Sequence, residues 1–150
     1  MTKRIARNRP RGFTLVEVLF VLALAGVFAG ATLPLGQSYL RRGELDAAVR
    51  ETASTIRSAQ ARAQAGSFDA GWGVKVVPGS IILFQGSTYA TRATTYDESI
   101  GIPTGLVASG TTEFDFARRT GRTTSGTLTL TDAGGTSRTV AVNGFGMVQY

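Results

Sequence analysis

A basic leader, an apolar run and a single carboxylate inside that run constrain this chain more than any other feature. The leader carries Lys3, Arg4, Arg7, Arg9 and Arg11 and no acidic residue. Residues 13–33 then form a run of 21 in which Glu17 is the one charged side chain. A helix of that length is about 30 Å long at 1.5 Å per residue, the thickness of a hydrocarbon core. Lipid demands that backbone hydrogen bonds be satisfied internally, so a helix is the expected state. Cationic side chains before such a run favour the cytoplasmic side. The predicted organisation is a leader over 1–12, a transmembrane and assembly helix over 13–36, and an exported domain over 37–150. Glu17 needs an explanation, because a carboxylate near the edge of a membrane helix costs about 2–4 kcal/mol. The bland explanation is a signal anchor whose glutamate snorkels to the headgroups. An ordinary cleaved signal peptide would need a shorter apolar region and small residues before the cut. Ala29-Gly30-Ala31 offers the small residues, but the run is long and a carboxylate within it is atypical.

The hexapeptide Gly12-Phe13-Thr14-Leu15-Val16-Glu17, read together with the basic leader, resembles the processing and assembly motif of type IV pilins and type II secretion pseudopilins. In that family a prepilin peptidase cuts after the glycine and methylates the new amine. The resemblance implies cleavage between Gly12 and Phe13, an N-methylated ammonium on Phe13, and a Glu17 carboxylate that compensates the Phe13 ammonium of a neighbouring subunit. It also places Pro34 where pilins commonly carry a helix-loosening proline. The implied partners are the prepilin peptidase, other pilin or pseudopilin subunits, an inner-membrane assembly platform and the lipid bilayer. The implied location is a single pass of the inner membrane, N-terminus cytoplasmic and C-terminal domain periplasmic or extracellular, and then the filament. The physical logic is independent of the name. An ammonium and a carboxylate are each costly in apolar surroundings, and pairing across subunits cancels much of that cost.

The formal net charge of +6 is mostly a property of the leader. Without residues 1–12 there are 11 basic against 10 acidic side chains, so the charge says little about nucleic acid. The chain has no cysteine and no histidine. Thiol catalysis, the usual zinc sites and a Ser-His-Asp triad are therefore excluded. The serines and threonines have no base to activate them, and neither an enzymatic activity nor a cofactor is expected.

Over 37–65 the residues Leu45, Ala48, Val49, Thr52, Ile56, Ala59 and Ala63 recur at spacings of three and four, which predicts an amphipathic helix stopped at Gly66. Its stripe is made of small residues, so a neighbour must approach closely. If both helical stretches join, residues 14–64 span about 75 Å. From Trp72 onward the period changes to two, which predicts an antiparallel sheet over 72–150. Strands are expected at 73–77 and 80–84 around the Pro78-Gly79 turn, with a half-exposed third at 87–92. A long loop with one short strand is expected over 93–110. Strands at 113–117, 126–131 and 137–142 and an alternating tail over 145–150 complete an antiparallel meander. The fold class is α+β, a long N-terminal helix packed on an antiparallel sheet, as in pilin-like proteins. Within them the chain is most similar to the GspH/FimT-type minor pilins and pseudopilins. The likeness rests on Ala59-Gln60-Ala61-Arg62, the 72–84 hairpin, Phe114-Asp115-Phe116 and the run from Val140 to Gly146.

Residue type also bears on several other candidate sites. Arg118, Arg119 and Arg122 could form a basic patch with Arg138, and some FimT-like minor pilins take up DNA with basic residues near the C-terminal strand. This chain ends Gly144-Phe145-Gly146-Met147-Val148-Gln149-Tyr150, without lysine or arginine there. Phosphate binding needs several clustered cations, and a solvated turn accounts for three arginines. Asp97-Glu98 lacks the spaced ligands that calcium requires, and no metal is expected. Glu113 and Asp115 alternate on one strand face, as a glycosidase pair would, with no second feature in support. Trp72, Phe84, Phe114 and Phe116 are expected in the core. The expected function is a structural subunit, a minor one that initiates or caps a filament. The alternatives are a DNA-binding minor pilin and a major pilin.

Overall fold

The computed structural model describes residues 12–150, except for the side chains of residues 29–41. The leader positions 1–11 and the side chain of Pro34 thus lie outside the description. Two units make up the chain, Met1–Gln37 and Ser38–Tyr150. A helix, α1 (Leu15–Gln64), begins in the first and ends in the second. It runs without a break past Pro34, so the two helical stretches read from sequence join.

In the first unit every large apolar side chain from Phe13 to Phe28 is exposed, from 44% at Leu24 to 81% at Phe13. A helix apolar on all sides belongs in surroundings other than water. Among the described residues, no helix is long and apolar enough to cross a membrane. The span expected over 13–36 continues beyond Phe28 into side chains outside the description.

In the second unit the same helix is sided. Leu45, Ala48, Val49, Thr52, Ala53, Ile56, Ala59 and Ala63 are all buried. Thr52 and Thr55 satisfy their hydroxyls by donating to the carbonyls of Ala48 and Glu51, at 2.7 and 2.9 Å, so they cost little inside the contact. The helix stops at Gly66, whose φ of +64° is open to glycine and lets its N–H reach back to the Ala63 carbonyl.

Eight strands follow: β1 (Trp72–Val77), β2 (Ser80–Gln85), β3 (Glu98–Gly101), β4 (Val107–Gly110), β5 (Glu113–Phe116), β6 (Gly126–Thr131), β7 (Ser137–Val142) and β8 (Val148–Gln149). They form two four-stranded sheets, ordered β3-β2-β1-β5 and β4-β6-β7-β8, with every pair antiparallel. The helix stripe and the inner faces of both sheets share one core, in which Trp72, Val74, Phe114, Phe116, Leu128, Leu130, Val140 and Val142 are buried.

Four sequence expectations need correction. Residues 87–92 are not a strand. They carry a short 3-10 turn, Tyr89–Thr91, capped by the Thr88 side chain, and a second turn at Thr94–Tyr96 follows. This segment folds over the outer face of the first sheet. Gly73 has no side chain there, and a Cβ would meet the Phe84 ring at 2.4 Å. Phe84 lies buried in that space, with Tyr89 edge-on to it at 5.6 Å and Arg92 stacked on Tyr89 at 3.7 Å. A cluster of this kind, not a hydrogen-bonding ladder, holds the segment. The loop expected over 93–110 contains two strands, β3 and β4, which go to different sheets. The expected meander holds for β6, β7 and β8, but β5 crosses to pair with β1, Trp72 opposite Phe116. The alternating tail keeps only two residues in a strand, and Phe145 and Met147 are exposed. Three turns with positive φ, at Gly110, Gly121 and Gly146, redirect the chain at these crossings.

Candidate functional site

Gly12, Phe13 and Thr14 precede the helix in non-helical backbone, and Gly12 and Phe13 are exposed. The junction between Gly12 and Phe13 is therefore non-helical and reachable, as a protease requires. Thr14 caps the helix. Its Oγ1 accepts from the Glu17 N–H at 3.3 Å, and its carbonyl accepts from the Val18 N–H at 3.2 Å. Thr14 and Glu17 thus occupy the threonine and glutamate positions of a T-x-x-E capping box. Sequence reading passed over Thr14, although that spacing was visible. The cap fixes Glu17 in the first helical turn, where a carboxylate is favoured by the helix dipole. Glu17 is exposed and forms no ion pair among the described residues.

Arg118, Arg119 and Arg122 lie near one another, the first two on Asp69 and Arg118 with Arg122 on the same cleft, while Arg138 stands apart. Arg118 pairs with the Asp69 carboxylate and donates to the Asp69 carbonyl at 3.2 Å. Arg119 reaches the same carboxylate at 3.9 Å, and its N–H donates to the Ala63 carbonyl at 2.7 Å. Arg122 lies over the Phe145 ring at 5.4 Å. Arg138 pairs with Asp46 at 3.1 Å. Asp46 and Ala63 are separated by 17 residues of one helix, a rise of about 25 Å. Arg138 therefore sits far along the domain from Arg118 and Arg119.

The acidic candidates are likewise engaged. Asp97 pairs with Arg92 at 2.8 Å. Glu98 receives two bonds from the Arg62 guanidinium, at 2.7 and 2.9 Å, and these hold its carboxyl below the usual range. Glu113 accepts from Lys75 at 3.1 Å and from the Tyr89 N–H at 2.8 Å. Asp115 differs. Burial, with the nearby Glu113 charge, pushes its carboxyl up to about 6, against the opposing pull of Lys75. Its Oδ1 is buried without a hydrogen-bond partner among the described residues. It lines an open cleft of 570 Å³ beside Ser87, Arg122, Thr123 and Thr124. Among the described residues no group of three acidic side chains is placed to hold a metal ion.

A further exposed feature is a turn at the C-terminal end. The Asn143 side-chain oxygen accepts from the Phe145 and Met147 N–H groups, both at 3.0 Å. The Gly146 N–H donates to the Asn143 carbonyl at 2.8 Å, and Gln60 of the helix donates to the Phe145 carbonyl at 2.7 Å. A fully bonded turn thus presents two large apolar side chains to solvent.

Comparison with known proteins addresses both the helix start and the domain. Residues 7–33 match the family described as the prokaryotic N-terminal methylation motif. The chain is similar in structure to the minor pseudopilin EpsH of the type 2 secretion system of Vibrio cholerae, with a TM-score of 0.53 and 12% sequence identity. The superposition covers 71% of this chain and 94% of that one, and at this identity it shows the fold. No curated protein matches the chain in sequence. The chain thus carries a prokaryotic N-terminal methylation motif ahead of an α+β domain with the pilin-like fold of a minor pseudopilin.

Proposed function

We propose that this protein is a structural subunit of a type IV pilus or type II secretion pseudopilus. It is inserted in the inner membrane by residues 13–36, cut between Gly12 and Phe13 by a prepilin peptidase, and methylated on the Phe13 amine. The observation that carries the reading is the coincidence at one place of three things: the methylation motif over 7–33, a non-helical exposed junction, and large apolar side chains from Phe13 to Phe28 that are all exposed. In the assembled filament those side chains pack on neighbouring helices, and Glu17 offsets the Phe13 ammonium of an adjacent subunit. Pro34 removes one helical hydrogen bond and softens the stem locally. Likeness to a minor pseudopilin favours a minor subunit that initiates or caps the fibre. Such a protein works by assembly, without an enzymatic activity or a cofactor. DNA capture gains less support, because Asp69 and Asp46 already engage Arg118 and Arg138.

The test is the N-terminal residue and intact mass of protein extracted from its native membrane. A chain that begins at Phe13 and is heavier by one methyl group is the expected result. A start at Met1 would point to a signal anchor, and a start near Thr32 to ordinary secretion. Either would overturn the reading.

A further inference from the structure

Strand β5 forks from the segment that follows it. The Val76 N–H donates to the Thr112 carbonyl at 2.8 Å, which fixes the phase of the β1–β5 pairing. The backbone groups of Phe114 and Phe116 therefore face β1, and those of Glu113, Asp115 and Ala117 face away from it. At the apex of the fork the Ala117 N–H donates to the Arg122 carbonyl at 2.8 Å. The ladder stops there. Among the described residues no backbone bond joins Thr124 to Asp115, and the Thr123 N–H turns to the Gly144 carbonyl at 3.3 Å. The cleft of 570 Å³ opens in this fork, with Asp115, Phe116 and Ala117 on one side and Arg122, Thr123 and Thr124 on the other.

Three properties of the fork describe what it takes. First, β5 is an edge strand, and edge groups that face away from their own sheet are a template for an added strand. Second, the Asp115 Oδ1 is a buried acceptor without a partner among the described residues, and it calls for a donor. Third, the apex is cationic. Arg118 and Arg119 share the one Asp69 carboxylate, and Arg122 forms no ion pair among the described residues. An extended peptide supplies N–H groups to the first two features, and a terminal carboxylate suits the third. A sugar acid also combines donors with a carboxylate. Among the lining residues, however, the aromatic one, Phe116, is 1% exposed, which leaves no ring to stack on a sugar.

We propose that the fork between β5 and Arg122–Thr124 binds the C-terminal end of an extended peptide, with the peptide carboxylate on the Arg122 guanidinium and its N–H groups on Asp115. Asp115 lies opposite Gly73 and alternates with Phe114 and Phe116, whose side chains fill the core. It therefore stands on the outer face of its sheet, away from α1. The site belongs to the second unit alone and does not depend on how the N-terminal helix is processed or packed. Residues 148–150 of this chain are engaged elsewhere: Val148 and Gln149 pair with β7, and Tyr150 lies against Arg57 at 5.2 Å. The occupant is accordingly a peptide of another protein.

The probes are dye-labelled Ala-Ala-Ala-X tetrapeptides, one for each amino acid at X, each made as the free acid and as the C-terminal amide. They are titrated by fluorescence anisotropy into the full-length chain in detergent. At least one free acid should bind, and its amide should bind about tenfold more weakly, the loss of a charge-assisted pair. Arg122→Gln should abolish that difference. Asp115→Asn should weaken acid and amide alike about fivefold, because a neutral acceptor holds an N–H less strongly. Arg138→Gln, far along the domain, should leave both unchanged. The urea midpoint of each variant reports that it is folded, and the acid–amide comparison on the unaltered chain needs no variant. Binding by no peptide overturns the proposal. So does equal binding of acid and amide, or a difference that survives Arg122→Gln. Oligogalacturonate binding that no peptide displaces would assign the fork to an acidic sugar and overturn the peptide as well. None of these outcomes bears on cleavage after Gly12, which the mass at Phe13 decides.

Discussion

One helix lives in two environments, and the contrast runs against simple hydrophobicity. Between Leu15 and Phe28 it carries phenylalanine, leucine and valine, and these are exposed. Between Leu45 and Ala63 it buries chiefly alanine, valine and threonine, several of them at 0% exposure. The large apolar side chains have no partner within the described chain, whereas the small ones are covered completely. Size and sidedness, more than apolar content, show which stretch is completed from inside the molecule. A one-sided stripe of small residues admits close approach of a sheet. An all-round surface of large residues awaits lipid or other helices.

The sharpest way to break this contrast is Glu17→Ala. Filament assembly should fall below detection, as measured by recovery of sheared fibres, while the urea midpoint of the detergent-solubilised chain stays unchanged. A shifted midpoint would mean that Glu17 acts within the chain. The next comparison is Phe114→Ala against Leu22→Ala. Phe114 is 1% exposed, and its truncation should cost about 3–5 kcal/mol of domain stability in denaturant titrations. Leu22, 63% exposed, should leave that stability unaltered. Equal losses would show that the N-terminal stretch is part of the same folded core. A smaller effect is expected for Ala59→Leu, which overfills a fully buried position and should cost about 1–3 kcal/mol. The same exchange at Ala23 should be neutral, since that position is exposed.

The smallest effect is that of pH. Burial raises the Asp115 carboxyl from 3.8 to about 6 in the folded domain. Above that value both folded and unfolded states are ionised, and the folded one carries the penalty of a poorly solvated charge. As pH falls through 6, the folded state takes up its proton first. Stability should therefore rise between pH 7 and pH 4, the reverse of the usual carboxylate behaviour. Because the group is partly open to solvent, the gain should be on the order of 1 kcal/mol. Asp115→Asn should remove the dependence, and an unchanged slope in that variant would assign it elsewhere. Glu98, held low by Arg62, works in the other direction. It contributes stability above its unfolded pKa and loses it as pH drops through its lower folded value.

Much of the molecule was legible from residue order. The Leu45–Ala63 stripe, the Gly66 stop, the β1–β2 hairpin at Pro78-Gly79 and the buried aromatic residues Trp72, Phe84, Phe114 and Phe116 are all where spacing put them. These depend on local periodicity and turn chemistry, which neighbours in sequence determine. The capping role of Thr14 is equally local, since it depends only on the spacing to Glu17. The fate of residues 87–92 was not local. Threonine, tyrosine and arginine suit a half-exposed strand, but Gly73, on another strand, leaves the space into which Phe84 turns and on which Tyr89 rests.

By itself, then, the sequence determined the basic N-terminal stretch, the methylation motif, the carboxylate of the first helical turn and the sidedness of the helix, because each follows from charge and spacing within a few turns of chain. Only the tertiary structure decided that the strands divide into two sheets, that β5 joins β1, and that Asp69 and Asp46 claim Arg118 and Arg138. It alone decided, too, that Phe145 and Met147 point outward while Ile102 is buried. Strand pairing and ion pairing join residues up to 92 positions apart. Their choice depends on which surfaces fit together once the chain has closed, and no short-range pattern encodes it.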